Sequence, residues 1–246
     1  MPDLLARSRP GVTRRVLDER CADVTSVAMR RPLILGATGG IGSALMERLP
    51  GAVGLSRADG LDWCQPEQAE QALLVAADEG PFDLIFDATG ALTIDGHGPE
   101  KQLKAIDAEA MAAQFAVNTI GPALVLKHHD VLMPRGQRAV FATLSARVGS
   151  IGDNGLGGWI SYRTAKAALN QVVKTASIEI SRKRPASIIV AMHPGTVATD
   201  LSSKFAGHRK TFTPDEAAGK LLAVLDGLSP DDTGGFFAHD GSRIVW

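Results

Sequence analysis

Short apolar runs alternate along the chain with longer segments in which apolar residues recur at helical spacing. Most of the short runs are continuously apolar, which is typical of strands that are buried on both faces of a parallel sheet. They predict strands at Pro32–Leu35, Ala52–Ser56, Leu84–Asp87, Ala139–Thr143, Ser187–Met192 and Gly235–Ala238. A further short run at Leu61–Trp63 is a candidate for an additional strand.

Helices are predicted in the segments between these runs. The candidates are Ile41–Leu49, Pro66–Glu79, Asp107–His129, Trp159–Lys183 and Pro214–Leu228. This alternation predicts an α/β fold, a single doubly wound Rossmann-type domain with a central, mostly parallel sheet flanked by helices.

Residues with unusual chemistry follow the ends of the predicted strands. They are Gly36, Arg57, Gly90, Ser145 and the pair Pro194-Gly195. Ligands of doubly wound sheets bind outside the carboxyl ends of the strands. The sequence therefore predicts one ligand site along that edge of the sheet.

Composition narrows the classes of function. The 246 residues, of which 45% are hydrophobic, fit one large domain that we expect over residues 31–246. A net charge of −1 gives no general reason to expect nucleic acid or membrane affinity, and no apolar run approaches the ~20 residues of a membrane span. Cys21 and Cys64 show neither metal nor redox spacing, so we expect a reducing, cytoplasmic location.

The N-terminal segment differs from the rest of the chain. Up to Arg31 it holds seven arginines and four acids but no lysine and no apolar periodicity. We interpret residues 1–30 as a disordered extension, or as translated sequence upstream of a true start at Met29.

The one tyrosine of the chain, Tyr162, is followed four residues later by Lys166 and preceded seventeen residues earlier by Ser145. Residues four apart share one face of a helix, so the Lys166 ammonium is predicted to lie beside the phenol. A nearby cation favours the phenolate and is predicted to lower the Tyr162 pKa from its usual ~10. Such a tyrosine exchanges a proton with a carbonyl or hydroxyl oxygen. The alternative is a surface tyrosine with an accidental neighbour.

A glycine-rich turn joins the first predicted strand to the first predicted helix. Glycine lets backbone N–H groups approach a phosphate closely, and a helix N-terminus favours negative charge. The predicted pyrophosphate-binding residues are Gly36, Thr38, Gly39, Gly40, Ile41 and Gly42. A plain tight turn is the alternative.

The end of the second strand carries information about the cofactor. NAD sites usually have an acid there, whereas this chain has Ser56 and Arg57. Arg57, helped by the Ser56 hydroxyl, suits a 2′-phosphate, so NADP(H) is favoured over NAD(H). Asp62 is a candidate acceptor for the adenine amino group, with Trp63 packing nearby. A solvated arginine and a satisfied loop aspartate are the alternatives.

From Arg31 to Trp246 these motifs resemble the short-chain dehydrogenase/reductase family. Its cofactor glycines match Gly36, Gly40 and Gly42. Its catalytic residues match Asn118, Ser145, Tyr162 and Lys166. Asp87 departs from the asparagine usual in the segment Asp87–Gly90, and this removes an amide donor on the adenosine side. The segment His193–Asp200 and the ending Gly235–Gly241 resemble C-factor and Sniffer-like carbonyl reductases.

This resemblance implies hydride transfer between a nicotinamide and a carbonyl carbon. It implies that Tyr162 donates the proton and that Ser145 donates a hydrogen bond to the same oxygen. Lys166 is implied to hold the nicotinamide ribose, and Asn118 to support a water chain or to pin its helix. The remaining implied cofactor contacts are Ala88, Thr89, Gly90, Pro194, Gly195, Val197 and Thr199.

The substrate side is less determined. The glycine-rich loop Arg147–Gly158 either walls a pocket or is a flexible connector, and the candidate pocket residues are Ala91, Leu92, Val148 and Trp159. The segment Leu201–Thr213, with four basic residues, is either an anion-attracting lid or a solvated loop. No metal site is expected, because His97, His128 and His129 lack partners at ligand spacing.

Three functions follow in order. The first is an NADPH-dependent reductase acting on an aldehyde or ketone, and the second is oxidation of an alcohol by the same site. The third is a nucleotide-binding signalling or sensor protein with little turnover. The expected partner is a small carbonyl or alcohol substrate, and the long helices Asp107–His129 and Trp159–Lys183, which this family often pairs, leave a homo-oligomer open.

Overall fold

The computed structural model describes residues 31–199 and 211–246. Within them, six parallel strands form one sheet in the order β2-β1-β3-β4-β5-β6. The strands are β1 (Pro32–Leu35), β2 (Val53–Leu55), β3 (Leu84–Asp87), β4 (Ala139–Leu144), β5 (Ser187–His193) and β6 (Phe236–Ala238). The order reverses between β1 and β3, and at such a switch point the connections leave on opposite faces and open a crevice.

Helices cover both faces of the sheet. They are α1 (Gly40–Arg48), α2 (Pro66–Ala77), α3 (Ala108–Phe115), α4 (Gly121–Lys127), α5 (His129–Leu132), α6 (Ile160–Lys183) and α7 (Pro214–Gly227). Short 3-10 turns and one π turn (Ala116–Ile120) complete the described elements between the strands. The predicted doubly wound α/β fold is therefore confirmed.

The core has two layers because successive strand side chains point to opposite faces. Ile34, Phe86 and Val190 face one layer, which α1 and α7 cover with residues such as Leu45 and Leu221. The alternate strand residues face the other layer, against α2, α4 and α6. Burial on both sides explains why the strands read as continuous apolar runs.

The predicted strand at Leu61–Trp63 is wrong. These residues lie in turns, and their apolar character comes from burial, since Leu61 is 3% and Trp63 5% exposed. The Trp63 ring packs against Gly121 so closely that a Cβ there would lie 2.4 Å from it. Apolar residues thus mark a loop that enters the core here.

The predicted continuous helix Asp107–His129 is also interrupted. It consists of α3, the π turn Ala116–Ile120 and α4, and α5 follows after His128. A helical apolar period does not show such a turn, because it adds a single residue to one turn of helix.

Some expectations lie outside the described residues. These are the N-terminal extension over residues 1–30, with Cys21, and most of the basic lid segment, with Lys204, His208, Arg209 and Lys210. In the described part of the chain, no helix is both long and apolar enough to cross a membrane.

Candidate active site

A cavity of about 790 Å³ opens at the carboxyl ends of the strands. Its walls come from the turn after β1, the segments that follow β3, β4 and β5, and the first turns of α6. This is the edge on which the sequence predicted a ligand site. Ser145, Tyr162 and Lys166 all line this one cavity.

Ser145 follows β4 directly and is held at both ends. Its backbone N–H donates to the Met192 carbonyl at 2.8 Å, and its hydroxyl donates to Asn170 Oδ1 at 2.7 Å. Asn170 in turn donates to the Gly149 carbonyl at 3.3 Å. The serine side chain is therefore oriented by α6, although sequence reasoning did not single out Asn170.

Tyr162 and Lys166 lie one turn apart on α6, as their spacing predicted. The Lys166 ammonium is 5.9 Å from the centre of the Tyr162 ring and donates to the Leu144 carbonyl at 2.8 Å. Burial lowers the pKa of Lys166 to about 8, and the Asp87 carboxylate opposes that shift.

The predicted direction of the Tyr162 pKa is wrong. Burial raises the pKa of Tyr162 to about 12, because the phenolate would lose its hydration. The lysine amine bonds a backbone carbonyl, and its charge does not offset this desolvation. The phenol is therefore firmly protonated at ordinary pH.

Asn118 sits in the π turn and is fully buried. Its amide donates to the Ala91 carbonyl at 2.9 Å and to Gln114 Oε1 at 2.8 Å, and its oxygen accepts from the Ala91 N–H at 3.2 Å. A Cβ on Gly90 would lie 3.0 Å from Asn118 Oδ1 and 3.4 Å from Lys166 Nζ. Gly90 thus leaves room for both polar groups, and Asn118 pins its helix to the segment that follows β3.

The glycine-rich turn adopts the conformation that its composition predicts. Gly36 has φ +78°, and a Cβ on Gly42 would lie 2.0 Å from the Gly36 carbonyl oxygen. Gly36 and Gly42 therefore shape the turn, whereas Thr38, Gly39, Gly40 and Ile41 line the cavity. The first N–H groups of α1 have no partners within the helix and are available to an anion.

The residues after β2 lie apart from the cavity lining. Ser56 is buried and donates its N–H and its hydroxyl to the Asp59 carboxylate at 2.9 and 2.7 Å. Its hydroxyl is thus engaged, contrary to the expected help to Arg57, which is exposed at the start of a 3-10 turn. Asp62 accepts from the Cys64 N–H at 3.0 Å.

Trp63 does not have the expected position beside an adenine site. It is buried under α4, and its Nε1–H donates to Thr89 Oγ1 at 3.0 Å. Thr89 in turn donates its N–H, at 3.0 Å, and its hydroxyl to Asp87 Oδ1. The tryptophan therefore supports the turn after β3 from below.

Asp87, which stands where the resembled family has asparagine, is fully buried at the end of β3. Besides the two Thr89 bonds, its Oδ2 accepts from the Thr143 hydroxyl on β4 at 2.7 Å. Burial raises the pKa of the carboxyl group, and these hydrogen bonds and the Lys166 charge oppose that shift. Two threonines thus provide donors that an acceptor-only carboxylate requires. Ala88, Thr89 and Gly90 line the cavity.

The segment after β5 forms the cavity wall opposite the glycine-rich turn. Pro194, Gly195, Val197 and Thr199 all line the cavity. Gly195 has φ +78°, and a Cβ there would lie 2.7 Å from the His239 ring. His193 also lines the cavity, and burial lowers its pKa to about 4, so that the imidazole is neutral.

The loop after Ser145 contributes the outer wall. Arg147, Val148, Asp153, Leu156 and Trp159 line the cavity, and Arg147 pairs with Asp153 at 3.5 Å. Of the candidate pocket residues, Leu92, Val148 and Trp159 line the cavity, whereas Ala91 bonds Asn118 and does not line it. Within residues 31–199 and 211–246, no cluster of three or more His, Cys, Asp or Glu could hold a metal.

Comparison with known proteins agrees with this arrangement. A family model described as enoyl-(acyl carrier protein) reductase matches residues 43–241. The chain is 32% identical over 196 residues to 1-hydroxy-2-glutathionyl-2-methyl-3-butene dehydrogenase of Rhodococcus sp. strain AD45, covering 79% of this chain and 82% of that protein. It is 32% identical over 168 residues to C-signal of Myxococcus xanthus, covering 68% of this chain and 94% of that protein.

A solved structure gives the same picture. A putative short-chain dehydrogenase/reductase of Burkholderia multivorans with bound NADP superposes with a TM-score of 0.73 at 25% identity. The match covers 88% of this chain and all of that one (100%).

Proposed function

The chain belongs to the short-chain dehydrogenase/reductase family, and from that premise we propose that it is an NADPH-dependent carbonyl reductase. Its substrate is an aldehyde or a ketone, and Tyr162 donates the proton. The observation that carries the proposal is the convergence of Ser145, Tyr162 and Lys166 on one cavity whose other end is a glycine-rich turn and a helix N-terminus.

The cavity suits a dinucleotide. The free N–H groups at the start of α1 fit a pyrophosphate, and Thr38, Gly39, Gly40 and Ile41 line that end. Thr89, Gly90 and the segment Pro194–Thr199 lie between this end and the catalytic residues. When bound, the cofactor supplies the hydride, and the protein supplies orientation and electrostatics.

The raised pKa of Tyr162 supports the direction of reduction. A phenol with a pKa of about 12 is protonated at neutral pH and holds the proton that a developing alkoxide needs. Its proton goes to the substrate oxygen as the hydride reaches the carbonyl carbon, and the product is an alcohol. The Lys166 ammonium, with a pKa of about 8, then stabilises the phenolate that remains.

Ser145 supports the same oxygen. Its hydrogen points to Asn170 Oδ1 and turns to the substrate oxygen by rotation about one bond. A hydrogen bond to the developing oxyanion lowers the barrier of the chemical step. Asn118, which is buried beside Gly90, holds the helix and the Gly90 segment together near Lys166.

The choice of NADPH rests on the region after β2. Arg57 is exposed there, and the nearest acid, Asp59, is engaged by Ser56. An arginine without an acid on the ribose side favours a 2′-phosphate. The Burkholderia multivorans relative with bound NADP supports this choice.

The test follows nicotinamide absorbance with purified protein, NADPH or NADH, and a panel of aldehydes, ketones and diketones. We expect NADPH-dependent reduction, and we expect Tyr162→Phe to lose at least about a thousandfold in kcat while it still binds NADPH. Near-normal turnover by Tyr162→Phe would contradict the mechanism. NADPH binding without turnover on any substrate would favour the signalling or sensor alternative.

A further inference from the structure

Helix α6, which carries Tyr162, begins without a cap of its own. The residue before its first turn is Trp159, whose φ of 56° and ψ of 40° lie in the left-handed region. Few residues other than glycine adopt this conformation, and it persists only where the surroundings fix it. A tryptophan side chain has no oxygen that accepts from the first N–H groups of a helix.

Glu100 supplies the missing acceptors from a different segment. It lies between β3 and α3, 61 residues before Ser161. Its backbone oxygen accepts from the Trp159 N–H at 2.5 Å, one carboxylate oxygen accepts from the Ser161 N–H at 3.2 Å, and the other accepts from the Ser161 hydroxyl. Ser161 is buried, and a carboxylate at a helix N-terminus is also favoured by the helix dipole.

These contacts act on residues that are adjacent to the proposed chemistry. Tyr162 follows Ser161 directly, and the Trp159 ring meets the Tyr162 ring edge-on at 6.5 Å. Both rings line the cavity, and Leu92 lines it from the segment that leads to Glu100. Glu100 therefore ties the wall after β3 to the helix turn that carries the phenol.

We propose that Glu100 is a positioning residue that sets the location of the Tyr162 phenol and the width of the cavity beside it, an inference that rests on the proposed reductase function. The carboxylate acts through Ser161 and the backbone of Trp159. It touches neither substrate nor cofactor. Loss of this contact leaves Trp159 in a left-handed conformation with fewer bonds to fix it, so that the first turn of α6 shifts.

The chain offers a direct readout, because Tyr162 is its one tyrosine. Protein grown with tyrosine labelled with ¹³C at Cζ gives a single tyrosine signal, whose shift reports the phenol surroundings and whose titration reports its pKa. The variants are Glu100→Ala, Glu100→Gln and Ser161→Ala. The matched control is Glu109→Ala, since Glu109 is an exposed acid in the first turn of another helix, α3.

We expect Glu100→Ala to shift the tyrosine signal and its titration midpoint, and to lower kcat roughly ten- to a hundredfold through misplacement of the proton donor. The affinity for NADPH, measured by its fluorescence, should change less than about threefold, because the contact lies outside the cofactor end. Glu100→Gln keeps polar atoms that can bond Ser161 and should restore most of the kcat. Ser161→Ala should show a smaller change in the same direction, and Glu109→Ala none.

A Glu100→Ala protein with the tyrosine signal, titration and kcat of the parent would overturn the proposal. So would a loss of thermal stability alone, with the tyrosine signal unchanged. If Glu100→Ala does not fold, Ser161→Ala decides, and an unchanged tyrosine signal there refutes the inference. Because the signal needs no turnover, parent protein that reduces no carbonyl refutes the proposed function separately.

Discussion

The Ser145 hydroxyl donates to the side-chain oxygen of Asn170 at 2.7 Å, and this contact couples the end of β4 to the catalytic helix. Tyr162, Lys166 and Asn170 are spaced four residues apart and therefore share one face of α6. One helix thus carries the proton donor, the cation and the residue that orients the serine. The rigidity of a long buried helix keeps these groups in register.

Asn170→Ala should release the Ser145 hydroxyl and leave the Gly149 carbonyl without this donor. We expect kcat to fall about tenfold, since the serine loses its orientation for the developing oxyanion. Steady-state reduction of the best carbonyl substrate measures this effect. Gln171→Ala, at an exposed neighbouring position on α6, is the control. An Asn170→Ala protein with unchanged kcat would show that Ser145 needs no such support.

The Lys166 ammonium should give NADPH binding a pH dependence. Because burial lowers its pKa to about 8, the amine is charged below this pH and neutral above it. We therefore expect NADPH affinity to fall as the pH rises through about 8. Fluorescence titration of NADPH over this range measures the effect. Lys166→Met should bind weakly with no such inflection, and Lys183→Met, at the exposed end of α6, should keep it.

Arg57→Ala should weaken NADPH binding about ten- to a hundredfold and leave NADH binding unchanged. The reason is loss of a charge-assisted bond to the 2′-phosphate, which such bonds stabilise by about 1.5–3 kcal/mol. Comparison of the two cofactors in one titration separates this effect from general damage. Arg182→Ala, another exposed arginine far along α6, is the control. Equal loss for both cofactors would argue against the assigned phosphate contact.

Asp87→Asn should change how stability depends on pH. The folded-state pKa of Asp87 is raised above its unfolded value by burial. Its contribution to stability is therefore gained as the pH falls through that raised pKa and lost as the pH rises above it. The free energy of unfolding of the parent protein minus that of Asp87→Asn should increase on acidification from neutral pH.

Urea denaturation at a series of pH values tests this difference. Subtraction is needed because other acids, such as Asp130 and Asp215, have pKa values lowered by arginine partners and lose stability in acid. Asp231→Asn, at an exposed site, serves as the control. A parent-minus-variant difference that stays constant with pH would mean that Asp87 does not titrate in this range.

Sequence patterns predicted those features that depend on neighbours along the chain. The strands, the glycine-rich turn and the spacing of Tyr162 and Lys166 are local patterns, and the fold follows from them. The candidate strand at Leu61–Trp63 failed because burial in a loop produces the same apolar run as a strand. The π turn at Ala116–Ile120 gave no signal in the apolar period.

Features that depend on distant contacts were beyond the sequence. Asn170 is 25 residues from Ser145, and Glu100 is 61 residues from Ser161, so nothing in their local spacing indicates a role. The pKa of Tyr162 was predicted in the wrong direction because adjacency to Lys166 is visible in the sequence, whereas desolvation depends on the surrounding packing. Ser56 similarly looked available until Asp59 was seen to accept its hydroxyl.

The π turn at Ala116–Ile120 also acts as a phase shift in the helix. One extra residue turns everything on its N-terminal side by about 100° relative to an uninterrupted helix. Gln114 can then reach the Leu92 carbonyl and Asn118, while Val125 still packs into the core. Removing a single residue from this turn would erase the offset and rotate Gln114 away from both partners. The segment thus tolerates substitution better than any change of length.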